Sequence, residues 1–97
     1  MVLITDIARL IKNGKDDSVI NNKISRLINS NNAGDINNWR LANYKDLRRW
    51  AYPDVADYVD AQVKLLSGDS LLIAKGQAEL DLYVQQALSV KTRFPKQ

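Results

Sequence analysis

Apolar residues recur at steps of three and four through most of this chain, and short clusters of polar residues, glycine and proline interrupt them. In the opening stretch, Ile4, Ile7, Ala8 and Ile11 follow that spacing, which places them on one face of an α-helix. A strand over residues 2–4 is the minor alternative there. The pattern therefore predicts an all-α protein, a compact domain of four or five helices.

Polar breakers set the predicted organisation of the chain. Residues 29–35 are the clearest, because Asn and Gly accept left-handed backbone geometry and the side chains of Asn and Ser compete with helical hydrogen bonds. A length of 97 residues is that of one domain, so residues 1–97 are predicted to form a single helical domain. Within it, residues 1–34 would form an N-terminal helical subregion, packed on the rest or reaching a neighbouring subunit. Residues 35–97 would form a three-helix packing unit.

The predicted third helix carries the clearest aromatic stripe. Its apolar residues, Ile36, Trp39, Leu47 and Trp50, span about 80° of the helix circumference, and the polar Asn43 lies in the middle. Asp35 is expected to cap the start of this helix, and Pro53 is expected to end it. The predicted core of the packing unit consists of Trp39, Leu47, Trp50, Val59, Val63, Leu80 and Val84.

Two helices are predicted after Pro53, and the second of them contains more apolar surface than one packed neighbour covers. The face of the fourth helix that is expected to be buried consists of Val55, Tyr58, Val59, Val63 and Leu66. A fifth helix is predicted from Leu71 to about Arg93, and Gly76 within it marks either a break or the close approach of another backbone. The residues left outside, and therefore the first candidates for partner binding, are Leu72, Leu82 and Leu88. This excess indicates a homo-oligomer or a protein partner.

Composition excludes several kinds of chemistry. The chain has neither Cys nor His, which removes disulfides, thiol nucleophiles, zinc sites of the usual kind and imidazole bases. No glycine-rich phosphate loop or nucleophile elbow is present, and Asp54, Asp57 and Asp60 are expected to serve ordinary roles near a helix start. The sequence therefore predicts no enzyme, no catalytic residue, no metal and no cofactor.

The distribution of apolar residues also predicts where the protein is located. No segment approaches the ~20 apolar residues that span a bilayer, so no membrane association is expected. Residues 1–4 run directly into Thr5 and Asp6, so no signal-peptide hydrophobic region is expected either. These features place the protein in a cytoplasm or in a particle assembled there.

Four cations form a candidate basic face on the predicted third helix: Arg40, Lys45, Arg48 and Arg49. Such a cluster would contact phosphates in a nucleic-acid-binding protein, with Trp50 or Tyr52 available for stacking. A solvated helix face is the simpler interpretation, because the net charge is only +3 and the tryptophans follow the apolar stripe. Nucleic acid is therefore not the expected partner.

Aromatic–proline pairs stand at two predicted helix ends, Tyr52-Pro53 and Phe94-Pro95. In one interpretation the rings pack as a cap on the core. In the other, Phe94 and Pro95 belong to an exposed docking peptide, since residues near a terminus are accessible. Both interpretations stay open at this stage.

Residues 44–97 resemble the C-terminal part of small accessory proteins encoded among the tail-fibre and tail-assembly genes of tailed bacteriophages. The resemblance rests on the order and spacing of Arg48, Arg49, Tyr52, Pro53, Asp57, Asp60, Val90, Lys91, Phe94, Pro95 and Lys96. It implies a structural or assembly protein of the tail or neck, or an escort of a tail protein. It also implies a location in the virion or the host cytoplasm, with a phage structural protein or the chain itself as partner. The alternatives are a nucleic-acid-binding regulatory protein and a phage-encoded inhibitor of a host enzyme.

Overall fold

The computed structural model describes residues 1–96, which form six α-helices and no β-strand. In chain order the helices are α1 (Ile4–Lys12), α2 (Asp17–Ile28), α3 (Ala33–Ala42), α4 (Tyr44–Ala51), α5 (Val55–Leu65) and α6 (Ser70–Arg93). The all-α prediction is confirmed, although the helices number six rather than four or five.

Asn43 accounts for the additional helix, because it divides the predicted third helix into α3 and α4. Its backbone leaves helical geometry at φ −111° and ψ 19°. Its side-chain amide donates a hydrogen bond at 2.8 Å to the carbonyl of Trp39, which also accepts from the backbone N–H of Asn43 at 3.0 Å. Its own carbonyl accepts from the N–H of Leu47 at 3.1 Å in the first turn of α4. The polar interruption of the aromatic stripe is thus a helix end.

Polar side chains cap the starts of α2 and α3, and the cap of α3 differs from the one predicted. Asp16 caps α2, and the N–H of Val19 and the hydroxyl of Ser18 hold the pKa of its carboxyl below the usual value. Asn32 caps α3 through hydrogen bonds from the N–H groups of Gly34 and Asp35. Asp35 therefore lies inside the first turn, and the predicted loop over residues 29–35 is shorter than expected.

The N-terminal unit comprises residues 1–51 together with the chain from Arg93 onward. In it, α1 packs on α2 and α4, while α3 packs on α2 and α4. Its core is formed by buried side chains from three helices and the C-terminal segment: Ile7, Ala8, Ile11, Ile20, Ile24, Leu47 and Phe94. The structure thus groups residues 35–51 with the N-terminal helices rather than with residues 52–92. The single-domain prediction itself stays a prediction.

The second unit, Tyr52–Thr92, is a helical hairpin of α5 and most of α6. Its helices approach closely at Gly76, where a Cβ atom would lie 2.8 Å from the carbonyl oxygen of Ala61 and 2.8 Å from the Cβ of Lys64. Ala61 and Gly76 are both buried. Of the two interpretations of Gly76, the close approach of another backbone is confirmed.

Most of the predicted core lies elsewhere than expected. Leu47 is fully buried, as predicted, but Trp39, Trp50 and Leu80 are only half-buried. Three valines that were assigned to the core are exposed: Val59, Val63 and Val84. The prediction failed because helical spacing identifies a face to be buried without identifying what buries it.

Candidate interaction surface

Exposed apolar side chains are concentrated in the helical hairpin. Among the described residues, fifteen large apolar side chains are exposed, and eleven of them lie between Val55 and Leu88. The other four are at Met1, Leu3, Ile4 and Val19. The hairpin therefore carries most of the exposed apolar side chains of the described residues.

Four of these exposed residues form a continuous stripe along one face of α5 and its C-cap residue. Val55, Val59, Val63 and Leu66 retain 66%, 52%, 64% and 84% of their surface. At about 100° per residue they lie roughly 120–200° around the helix from Ala61, which contacts α6. We call this face the α5 stripe; it contains no charged residue. It is the same set of residues, with Tyr58, that the sequence marks for burial.

The leucines predicted for partner binding on α6 are all exposed, but they do not share one face. Leu72 and Leu82 are ten residues apart, so they lie about 80° apart around the helix. Leu82 and Leu88 are six residues apart, which separates them by about 120°. One partner surface would not contact all three, whereas the four residues of the α5 stripe are in line.

A cleft lies between the helices of the hairpin, on the flank where Leu82 is found. Its volume is about 250 Å³, and its lining consists of Asp57, Asp60, Lys64, Glu79, Leu82, Tyr83 and Gln86. Lys64 and Glu79 form an ion pair across it, and Tyr58 and Tyr83 pack with ring centroids 5.5 Å apart. No group of three acidic side chains within residues 1–96 is arranged to hold a metal ion. The ion pair and the packed tyrosine rings join α5 to α6 beside the cleft.

Phe94 is not part of an exposed docking peptide, because it retains only 1% of its surface. Its ring lies near two guanidinium groups, those of Arg40 and Arg93, each 4.9 Å from the ring centroid. Such cation–π contacts are stronger where water is excluded. Pro95, the other residue assigned to that peptide, is exposed. The burial of Phe94 agrees with the cap interpretation for that ring, whereas Tyr52, the other ring of that interpretation, is only half-buried.

Arg40 also departs from the predicted basic face, since its side chain is only 13% exposed. It donates hydrogen bonds to Asn21 Oδ1 at 2.7 Å and to the backbone carbonyl of Arg93 at 3.0 Å. Arg93 in turn donates to Asp17 Oδ1 at 2.9 Å and to the carbonyl of Lys15 at 3.0 Å. We call these residues and Phe94 the C-terminal clasp.

The remaining members of the predicted basic face differ among themselves. Arg48 donates from Nε to the carbonyl of Phe94 at 2.7 Å, so it too binds the C-terminal segment. Lys45 and Arg49 are exposed, and Arg49 forms an ion pair with Asp46 at 3.1 Å. Two of the four cations thus hold the chain's own backbone, and the predicted face is interrupted.

The clasp was not foreseen from the sequence. Asp17 and Arg93 are 76 residues apart, and Asn21 and Arg40 are 19 apart. The one signal in the sequence is that Arg93 precedes the aromatic Phe94. Such neighbours do not indicate which distant side chains will contact them.

Comparison with protein-family models, with curated proteins and with solved structures finds no match to this chain. Among the described residues, no helix combines the length and apolar character needed to cross a membrane.

Proposed function

We propose that this protein is a small helical assembly factor that acts by protein–protein contact, with the α5 stripe as its docking surface. One observation carries the proposal: a helix face with the spacing of a buried stripe is exposed along its whole length. Contiguous exposed apolar surface of this kind marks interaction sites in soluble proteins.

The role in a phage tail or neck, or as an escort of a tail protein, is the finer part of this proposal. It rests on the resemblance of residues 44–97 to small accessory proteins encoded among phage tail genes. Two residues of that resemblance, Arg48 and Phe94, are joined by a hydrogen bond in the N-terminal unit. This contact gives a physical reason for the arginine of the pattern, and the burial of the Phe94 ring gives one for the phenylalanine.

A photo-crosslinking experiment tests the docking surface. A benzophenone amino acid at position 63 is expected to give covalent adducts on irradiation, in infected cells or in cells that produce this chain alone. The matched control is the same group at Val19, an exposed valine of α2. Adducts at both positions, or at neither, would argue against the α5 stripe as a docking surface.

Nucleic-acid binding is not expected at physiological salt. Arg40 and Arg48 bind backbone carbonyls within the N-terminal unit, so fewer cations are available for phosphates. Fluorescence anisotropy with duplex and single-stranded oligonucleotides should show no sub-micromolar binding. Tight binding that weakens steeply with salt, and that is lost in the Lys45→Glu, Arg49→Glu double variant, would favour the nucleic-acid alternative. These two substitutions are chosen because both side chains are exposed.

A further inference from the structure

We infer that the occupant of the α5 stripe is the α5 stripe of a second copy, packed antiparallel about a two-fold axis. This inference rests on the proposed function and identifies its partner. In a two-fold dimer the same patch meets itself, so the patch must be self-complementary in shape and charge. The α5 stripe meets both requirements.

The shape of the stripe suits helix–helix packing. Val55, Val59 and Val63 follow one another at steps of four and form a single ridge, and Leu66 extends it by three residues. Because the stripe contains steps of both four and three, the ridges of one helix can fill the grooves of the other at a crossing of about 20°, which keeps the two stripes side by side along their length. Valine side chains have one strongly preferred rotamer in a helix, so their burial between two copies loses little conformational freedom.

The helix dipoles select the antiparallel orientation. Asp54 caps the N-terminus of α5. A parallel pair would place two N-termini and two capping carboxylates side by side, whereas an antiparallel pair places each N-terminus beside the C-terminus of the other copy. Asp57, Asp60 and Lys64 take no part, because they line the cleft that faces α6, where Lys64 pairs with Glu79.

The area of the stripe is sufficient for a reversible dimer. Four side chains with half to four-fifths of their surface exposed offer roughly 300–400 Å² per copy. Because about 60% of a protein interface is apolar, this corresponds to roughly 1,000–1,300 Å² of total buried surface. Interfaces that bury about 1,200 Å² or less are typical of weak, transient complexes, so a dissociation constant in the micromolar range is expected.

Sedimentation velocity across about 1–200 µM protein tests association directly. The parent protein is expected to shift from monomer to dimer over this range. The Val59→Glu, Val63→Glu double variant should remain monomeric, with association weakened at least tenfold and with unchanged circular dichroism, because both residues are exposed. Val19→Glu, on an exposed part of α2, is the matched control and should dimerise like the parent.

Charge complementation separates a lost interface from a lost fold. The Val59→Lys, Val63→Lys variant should also be monomeric alone, yet it should form a mixed dimer with the double glutamate variant. A misfolded protein would not recover association on mixing. If each variant is monomeric and the mixture stays monomeric, or if the parent is monomeric at every concentration, the inference is overturned.

The absence of cysteine from the sequence permits a test of orientation. A two-fold axis through the middle of the stripe brings Val55 of one copy beside Leu66 of the other. On oxidation, a mixture of the Val55→Cys and Leu66→Cys proteins should therefore yield mainly the mixed disulfide. Each variant linking mainly to itself would indicate parallel packing and overturn the inference.

The two proposals fail in different ways. A position-63 photo-adduct with twice the mass of the chain supports both. An adduct with a different protein, together with a monomeric parent, overturns the second-copy inference and leaves the docking surface in place.

Discussion

Phe94→Ala is expected to unfold the N-terminal unit at temperatures where the parent is folded. The substitution removes a fully buried ring from the core, and the loss of a buried Phe costs about 3–5 kcal/mol. It also leaves the guanidinium of Arg40, which is mostly buried, without the ring against which it lies. Since small domains are stable by only ~5–15 kcal/mol, the melting temperature should fall by roughly 15–30 °C.

Thermal melts followed by far-ultraviolet circular dichroism measure this effect, and amide exchange in α1 and α2 locates it. Pro95→Ala is the control, because Pro95 is exposed and a surface substitution changes stability by about 0.5 kcal/mol or less. Phe94→Leu should lie between the two. A Phe94→Ala protein that melts within a few degrees of the parent would show that the C-terminal segment is dispensable to the core.

The helices could be predicted from the sequence because they depend on contacts between near neighbours. The spacing of Ile7 and Ile11 and the breaker around Asn29 indicate a helix and its end by local geometry alone. Residues with competing local signals were harder to assign. The sequence marks Asn43 as a polar flaw in an apolar stripe, but it is the backbone geometry of Asn43, at φ −111° and ψ 19°, that shows the end of the helix.

The pairing of helices could not be predicted in the same way. The buried position of Phe94 depends on Arg40, which lies far away in sequence, and no periodicity links the two. The same limit explains the error in the predicted core. Val59 and Val63 have the spacing of buried residues, but they remain exposed in the hairpin because α6 packs on another face of α5. A prediction of burial that the monomer does not fulfil is itself information, because it indicates a surface that needs a partner.

A second large effect is expected from Gly76→Val, which should separate the helices of the hairpin. Even the first atom of a side chain at this position would lie 2.8 Å from the carbonyl oxygen of Ala61 and 3.0 Å from the backbone nitrogen of Leu65. These are backbone atoms of α5, so they move only if the helix moves. Alanine would gain about 1 kcal/mol in helix propensity over glycine, and the overpacking penalty of about 1–3 kcal/mol would cancel that gain.

Valine lacks most of that propensity advantage and adds two methyl groups to the clash, so Gly76→Val should destabilise the hairpin by about 3 kcal/mol or more. Amide exchange of α5 is the appropriate measurement, because it reports on the hairpin separately from the N-terminal unit, whose core lies in other helices. Gln77→Val is the matched control: it places the same side chain at the next, exposed position of α6 and should change exchange little. Equal protection of α5 in the two variants would mean that the close approach at Gly76 does not hold the hairpin together. If Gly76→Val instead accelerates exchange in α5, it should also weaken the dimer, since the α5 stripe keeps its shape only while α5 remains folded against α6.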